Sequence, residues 1–269
     1  MKPPEYEVFA IRYATVHRKR SENFIAQDPH DVDMPMDYFV WVIRHQQKVF
    51  VVDTGFGEEA AKVRRREWLR CPISALTLLG IQPDQVQDVI LTHLHYDHAG
   101  NVHLLPNATI HVQESEVHYC CGRHMRHGLL RHPYSVDDII EVVRGVHEDR
   151  VAFYTGNTAI APGIELIHIG GHTQGLQAVR VHTERGWVML ASDATHYYAN
   201  MHEASPFPIV FNVGDMLEGY ATLRRYADSL DHIIPGHDPL VMKQYPAQGN
   251  PGEQIVALHR PPRHAGLAP

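Results

Sequence analysis

The sequence predicts an α/β (α+β) protein in which mixed sheets are covered by helices. Three observations predict it. Short β-rich runs punctuate the chain, helical patterns sit between some of them, and the runs come in clusters rather than in the strict alternation of a Rossmann fold. At 269 residues the chain is ample for a layered core.

The elements follow in order. Runs rich in β-branched and aromatic residues at 7–16, 37–44 and 48–55 read as strands. Helical patterns span 57–70 and 72–79, and strands return at 88–93 and 109–112. Helices are expected at 114–122 and 136–145, the second with Ser135 as its cap and Asp138 three residues on. Strands at 164–170, 177–183 and 187–193 form the next cluster. A helix over 214–230 has Asp215 near its start and is weakened by Gly219, and a last strand covers 232–238. The segment 114–156 is less regular and rich in His and Arg, which marks it as a candidate cap over a site. From 244 the chain is rich in Pro and Gly, with one strand-like run at 255–258, and from about 259 it is expected to be mobile.

Charge and cysteine bound the function. The chain has 24 basic and 31 acidic residues, a net charge of −7, without the basic footprint of a nucleic-acid binder. Arg18-Lys19-Arg20 and Arg64-Arg65-Arg66 read as solvated faces. Cys71, Cys120 and Cys121 are odd in number with two adjacent, so they make no disulfide framework and fit a reduced compartment. The N-terminal stretch lacks the apolar core of a signal peptide, and no run reaches membrane-spanning length. The expected location is cytoplasmic, with no membrane partner.

The chemistry concentrates in "LTHLHYDHAGN", residues 91–101. His93, His95, Asp97 and His98 stand directly after the apolar run Val89-Ile90-Leu91. Imidazoles and carboxylates are costly to bury unpaired, so something must compensate them, and a metal is the first candidate. Residues two apart in an extended segment point the same way, which lets His93 and His95 grip one ion. Asp97 and His98 follow where the chain turns and can face a second. Other apolar runs end similarly, in Asp53, His172, Asp193 and His237. Three His plus carboxylates suit zinc, and also manganese, iron or cobalt. Most other histidines, among them His103, His111, His118, His124, His127 and His132, read as ordinary surface residues.

"THLHYDHAG", "GGHTQG", "ASDA" and "IPGHD" together resemble the metallo-β-lactamase superfamily over about residues 38–240. The resemblance implies a four-layer αβ/βα sandwich, here a single domain over 1–269, with two divalent metal ions, zinc foremost, at one edge of the sheets. By it, His93, His95 and His172 hold one ion, Asp97, His98 and His237 the other, and Asp193 bridges both. Asp53 matches a position that supports such a site from behind, although on the sequence alone it serves equally as a strand-end turn residue.

Within the superfamily the chain is most similar to N-acyl homoserine lactonases, the quorum-quenching hydrolases, and their lactone-opening relatives. That likeness implies attack on a lactone carbonyl by a hydroxide shared between the metals, with Asp97 shuttling the proton. Those enzymes carry a tyrosine three residues after the bridging aspartate. Here that position is His196, followed by Tyr197, and either is expected to contact the substrate carbonyl. The expected partner is a small-molecule lactone or ester, and a homo-oligomer is compatible with the sequence. The competing reading is a thioesterase of the hydroxyacylglutathione hydrolase type, which uses the same ligands. A phosphodiesterase is disfavoured by the acidic balance. A mononuclear dioxygenase would bind one metal and consume oxygen, and a non-catalytic metal protein would hydrolyse nothing.

Overall fold

The computed structural model describes residues 2–26 and 31–263. The first sheet comprises β1 (Glu7–Val16), β2 (Met36–His45), β3 (Lys48–Val52), β4 (Glu67–Trp68), β5 (Asp88–Ile90), β6 (Thr109–Gln113), β7 (Val151–Tyr154) and, from the far end of the chain, β13 (Ile255–Ala257). Its order is β13-β1-β2-β3-β5-β6-β7, with β4 paired to β1. The pairs from β13 to β3 are antiparallel and those from β3 to β7 parallel. The second sheet comprises β8 (Thr158–Ala161), β9 (Ile164–His168), β10 (Gln177–Thr183), β11 (Gly186–Ser192) and β12 (Ile233–Pro235), in the order β12-β11-β10-β9-β8. Only its β11–β12 pair is parallel.

Strand alternation builds the layers. On β1, Val8 and Ala10 face the second sheet and meet Ile164, Leu166, Val179, Val188 and Leu190. Phe9 and Ile11 face the other way, into the core shared with helices α1 (Glu58–Arg64), α2 (Tyr96–Ala99), α3 (Glu114–Cys120) and α5 (Val136–His147), while the short α4 (Gly128–Arg131) contributes no residue to it. Behind the second sheet, Met189 and Ile233 pack on Met201 of α6 (Tyr198–His202) and on Met216, Tyr220 and Leu223 of α7 (Val213–Tyr226). A short α8 (Leu240–Gln244) closes the set. Three apolar interfaces thus separate four layers, the αβ/βα sandwich that the motifs implied.

Several elements differ from expectation. The helix expected over 57–70 stops at Arg64, because Arg65 turns left-handed at φ 55° and the chain then pairs as β4 with β1. The run 72–79 forms a 3-10 helix over Ser74–Leu79 rather than an α-helix. The long helix ends at Tyr226 and is capped by Asn212, whose side chain accepts from the Gly214 and Asp215 amides. Gly219 is a packing requirement there, since a Cβ would lie 2.6 Å from Ile169. Ser135 stands at the cap of α5, but its hydroxyl accepts no backbone N–H. Strands β7 and β8 were not expected; they are short and flank a turn at Gly156. In the tail expected to be mobile from 259, His259 Nδ1 accepts from the Val8 amide at 3.0 Å and Arg263 N–H donates to Gln244. Residues 264–269 lie outside the described residues. Among the described residues no helix is long and apolar enough to cross a membrane.

Candidate metal centre

Five strands release their chains at one edge. Asp53 follows β3, His93 lies three residues past β5, His172 follows β9, Asp193 follows β11 and His237 follows β12. Parallel pairing sets β3 beside β5 and β11 beside β12, which aligns their C-terminal ends. Backbone turns do the rest. Asp53 and Ser192 adopt left-handed φ values of 61° and 48°, and Gly55 at 63° lies so close to Tyr13 that a Cβ would come within 2.7 Å. The chain enters α2 at His95, and the tight turn brings Asp97 and His98 back under His93.

All seven expected ligands converge there, and all are buried. His93 Nε2 and His172 Nε2 lie 3.0 and 2.9 Å from His95 Nδ1. Asp193 stands between two groups. Its Oδ2 is 3.1 Å from His172 Nε2 and 3.7 Å from His93 Nε2, while its Oδ1 is 3.2 Å from His98 Nε2 and 3.0 Å from His237 Nε2. Asp97 Oδ2 completes the second group at 3.9 Å from both His98 and His237.

The outer edges of four rings are engaged. His98 Nδ1 donates to Asp53 Oδ2 at 2.7 Å, His172 Nδ1 to the Ile209 carbonyl at 2.6 Å, and His237 Nδ1 to the Asp37 carbonyl at 2.8 Å. The Thr92 hydroxyl donates to Asp53, so it accepts from His93 Nδ1 at 3.2 Å. This is the arrangement in which a carboxylate or carbonyl fixes the tautomer of a metal-binding imidazole. The inner atoms are left over: His98 Nε2, His237 Nε2 and Asp193 Oδ1 are buried and, despite their proximity, none has a partner in hydrogen-bond geometry. Lone pairs aimed at one another are repulsive unless a cation lies among them. The donor set therefore fits divalent ions: His93, His95, His172 and Asp193 converge as one group, Asp97, His98 and His237 as a second, and Asp193 also converges with His196 and His237.

Electrostatics agree. Burial holds the pKa of His93 and His95 well below the usual imidazole value, so both stay neutral and able to ligate. Burial disfavours charge on His98 too, but Asp193, Asp53 and Asp97 outweigh it and raise its pKa well above normal. A field that favours a proton there favours a metal cation equally. Burial works against ionised Asp193, yet the imidazoles of His196, His237, His98 and His172 hold its carboxyl well below the usual carboxylate range.

His196 joins the cluster and Tyr197 does not. His196 Nε2 lies 3.1 Å from Asp193 Oδ2, and its ring stacks on Phe207 at 3.9 Å between centroids. Burial, only partly opposed by Asp193, pushes its pKa down to about 3. Tyr197 is fully buried and turns the other way. Its hydroxyl donates to the Pro35 carbonyl at 3.3 Å, in a separate cavity shared with Met34, Pro35 and Leu240. Tyr197, expected as the alternative contact to the substrate carbonyl, thus sits with its hydroxyl on Pro35 and not among the cluster residues.

Sequence reasoning missed two other groups. Glu116, buried in α3, accepts from the Leu94 amide and the Tyr134 hydroxyl through Oε1 and from the Gly175 amide through Oε2, each at 3.0 Å. It ties the loop of His93 and His95 to the loop after His172, and Gly175 has no room for a Cβ, which would lie 2.3 Å from the Glu116 amide nitrogen. The arginine runs are the second. Arg18, Arg64 and Arg66 line the cleft above the cluster, with His132 and Pro133 of the expected cap segment, and only Arg65 of its run is fully solvated. The reading of both runs as wholly solvated faces is thus corrected: Arg65's left-handed turn aims its neighbours inward.

Comparisons with known proteins agree with this geometry. Residues 34–237 match the family model of the metallo-beta-lactamase superfamily. The chain is 30% identical over 138 residues to an N-acyl homoserine lactonase of Bacillus thuringiensis, a match covering 50% of this chain and 49% of that protein. The chain thus spans about half the length of the Bacillus relatives it matches. It is 26% identical over 227 residues to the N-acyl homoserine lactonase AttM of Rhizobium radiobacter, covering 78% of this chain and 84% of that one. A crystal structure of a quorum-quenching N-acyl homoserine lactone lactonase superposes with a TM-score of 0.73 at 23% identity, covering 89% of this chain and 94% of that one. AidC, a dizinc quorum-quenching lactonase, superposes with a TM-score of 0.68 at 18% identity, covering 89% and 90%. With the family model matched from β2 through β12 and over every cluster residue, this chain belongs to the metallo-beta-lactamase superfamily.

Proposed function

We propose that the protein is a dinuclear metal hydrolase that opens a small-molecule lactone, an N-acyl homoserine lactone or a related ring. The observation that carries the reading is Asp193, whose two oxygens each face a different set of imidazoles. The lactonase relatives support the substrate class. His93, His95 and His172 would hold one ion, Asp97, His98 and His237 the other, and Asp193 both, with zinc the first candidate. Such ions, when bound, supply Lewis acidity and a water acidic enough to deliver hydroxide to a carbonyl carbon near neutral pH.

The chain's own residues do the remainder. Asp97, at the cleft floor and slightly exposed, accepts the proton released on attack and returns it to the leaving alkoxide. Neutral His196 holds Nε2 against Asp193 Oδ2 at 3.1 Å on the cleft floor, and its N–H would turn from that carboxylate to the carbonyl oxygen as negative charge develops there. Phe207 holds the imidazole flat. Asp53, Ile209 and Asp37 keep the ring tautomers that point Nε2 inward. No protein nucleophile is required: burial pushes the Cys120 thiol up, out of the thiolate range. The cysteines are free, in keeping with a cytoplasmic setting.

A thioesterase of the hydroxyacylglutathione hydrolase type is the second reading, favoured by the cleft arginines, which suit a substrate bearing carboxylates. Elemental analysis together with a pH-stat screen of lactones, thioesters and phosphodiesters tests both. The expected result is about two ions per chain and one proton per lactone opened. A hundredfold preference for thioesters over every lactone would move the protein to the thioesterase class.

A further inference from the structure

We propose that the substrate carries an anionic group, a carboxylate, and that Arg18, Arg64 and Arg66 at the mouth of the cleft bind it. The proposal deepens the hydrolase reading by narrowing its ring to a related lactone that bears a carboxylate, which an N-acyl homoserine lactone lacks; it rests on that reading for the reacting bond, but not for the anion site.

The three guanidiniums line one cleft with Asp97, His196 and Asp193 at its floor. Each is positioned by neutral acceptors. Arg64 donates to the carbonyls of His132 and Tyr134, at 3.0 and 3.2 Å. Arg66 donates to the Arg64 carbonyl at 2.7 Å and the Tyr96 hydroxyl at 3.2 Å. Arg18 donates to Asn23 Oδ1 at 2.6 Å and the Glu22 carbonyl at 2.7 Å. Each also lies against an aromatic ring: Arg64 is 3.8 Å from the Tyr96 centroid, Arg18 5.1 Å from Phe207 and Arg66 6.0 Å from Tyr38. Among the described residues, none of the three is in an ion pair with a carboxylate. Those bonds leave N–H groups unused on every guanidinium, which has five.

Three like charges gathered at one rim repel one another, and a protein of net charge −7 has carboxylates enough to neutralise them. The acidic groups that do face them are Asp97 and Asp193 at the floor and Asp138 near Arg64. Two divalent ions would more than cancel the floor carboxylates and leave the cleft strongly positive. A positive funnel in an acidic protein selects anionic small molecules. Space points the same way. The cleft is small, about 50 Å³, and the arginines line it together with Asp97 and His196, so a substituent on the reacting ring is brought against the same walls. The walls also offer Met36, Tyr38, Phe207 and Ile209 to an apolar part of the substrate, but the guanidinium fork matches only an anion such as a carboxylate.

The test uses a matched pair on the metal-loaded full chain: γ-butyrolactone bearing a ring carboxylate, and the same ring bearing a primary amide. The carboxylate is expected to have a kcat/KM at least tenfold higher, mainly through KM, with an advantage that shrinks as salt rises. In Arg18→Gln and Arg64→Gln that ratio should collapse toward one. Equal rates on the two rings, or a ratio untouched in both variants, overturns the proposal. If neither ring opens, the lactonase reading fails by itself, and calorimetry with glutarate decides the anion site. Glutarate binding weakened tenfold by both substitutions sustains it. No binding, or binding indifferent to both, refutes it.

Discussion

Asp53 Oδ2 accepts a hydrogen bond from His98 Nδ1 at 2.7 Å, and that bond dictates which nitrogen of His98 faces Asp193. Asp53 also accepts from the Thr92 amide and hydroxyl, at 2.7 and 2.8 Å. Asn tolerates the left-handed backbone that Asp53 occupies, so Asp53→Asn isolates the charge and the acceptor. With its oxygen on the Thr92 amide, the new NH2 would face His98 Nδ1 and force the ring proton to Nε2, inside the cluster. Affinity for the second metal is expected to fall about 10–100-fold, with the fold intact by circular dichroism. A metal titration matching wild type would show that Asp53 has no part in setting the tautomer.

Asp193→Asn should lower metal content and hydrolysis together. Its carboxylate lies within 3.0–3.2 Å of imidazole nitrogens on His98, His172, His196 and His237. An amide keeps one acceptor and removes the charge that offsets cations on both sides. Retention of full metal and full rate by this variant would mean that Asp193 does not link the two groups.

How much of this was legible varied with the kind of signal. His93, His95, Asp97 and His98 were legible because a buried apolar run ends in groups that cannot be buried alone. The four-layer sandwich was legible because the strand clusters and the motif set agreed. Glu116 was not, since its partners Leu94 and Gly175 lie 22 and 59 residues away and nothing local marks a helix carboxylate as buried. Arg64 and Arg66 were not, because a charge run reads as solvated until the turn at Arg65 shows which way each side chain points. Tyr197 had the right chemistry one residue past the matching position, and its hydroxyl lies on Pro35, away from the cluster.

Asp138 yields a pH-dependent stability. Burial raises its pKa from 3.8 to about 6, although Ser135 donates to it. The folded state therefore favours the neutral acid. Its contribution is fully present below pH 3.8 and is lost as pH rises through about 6. Asp138→Asn removes that loss and keeps an acceptor for Ser135. It should stabilise the protein by about 1–3 kcal/mol at pH 7.5 and by almost nothing at pH 4, read from urea unfolding. Equal stabilisation at both pH values would point to helix propensity rather than ionisation.

The last prediction separates His196 from Tyr197. An ordinary imidazole titrates near 6.5 and would leave its mark on the rate across neutral pH. His196 is pushed down to about 3 by burial, so it is neutral throughout pH 5–9. Its N–H is a donor over that whole range, and its ionisation falls outside it. His196→Gln retains an amide donor but loses the stack on Phe207 that fixes the ring, and it should lower kcat about 10–100-fold at matched metal occupancy. The shape of the pH–rate profile should not change. Tyr197→Phe removes a hydroxyl bonded only to the Pro35 carbonyl, and kcat should stay within about twofold. A wild-type limb near pH 6.5 that vanishes in His196→Gln would show His196 exchanging its proton during turnover, contrary to its burial. A large kcat loss in Tyr197→Phe would require that tyrosine to swing out of its cavity and into the cleft.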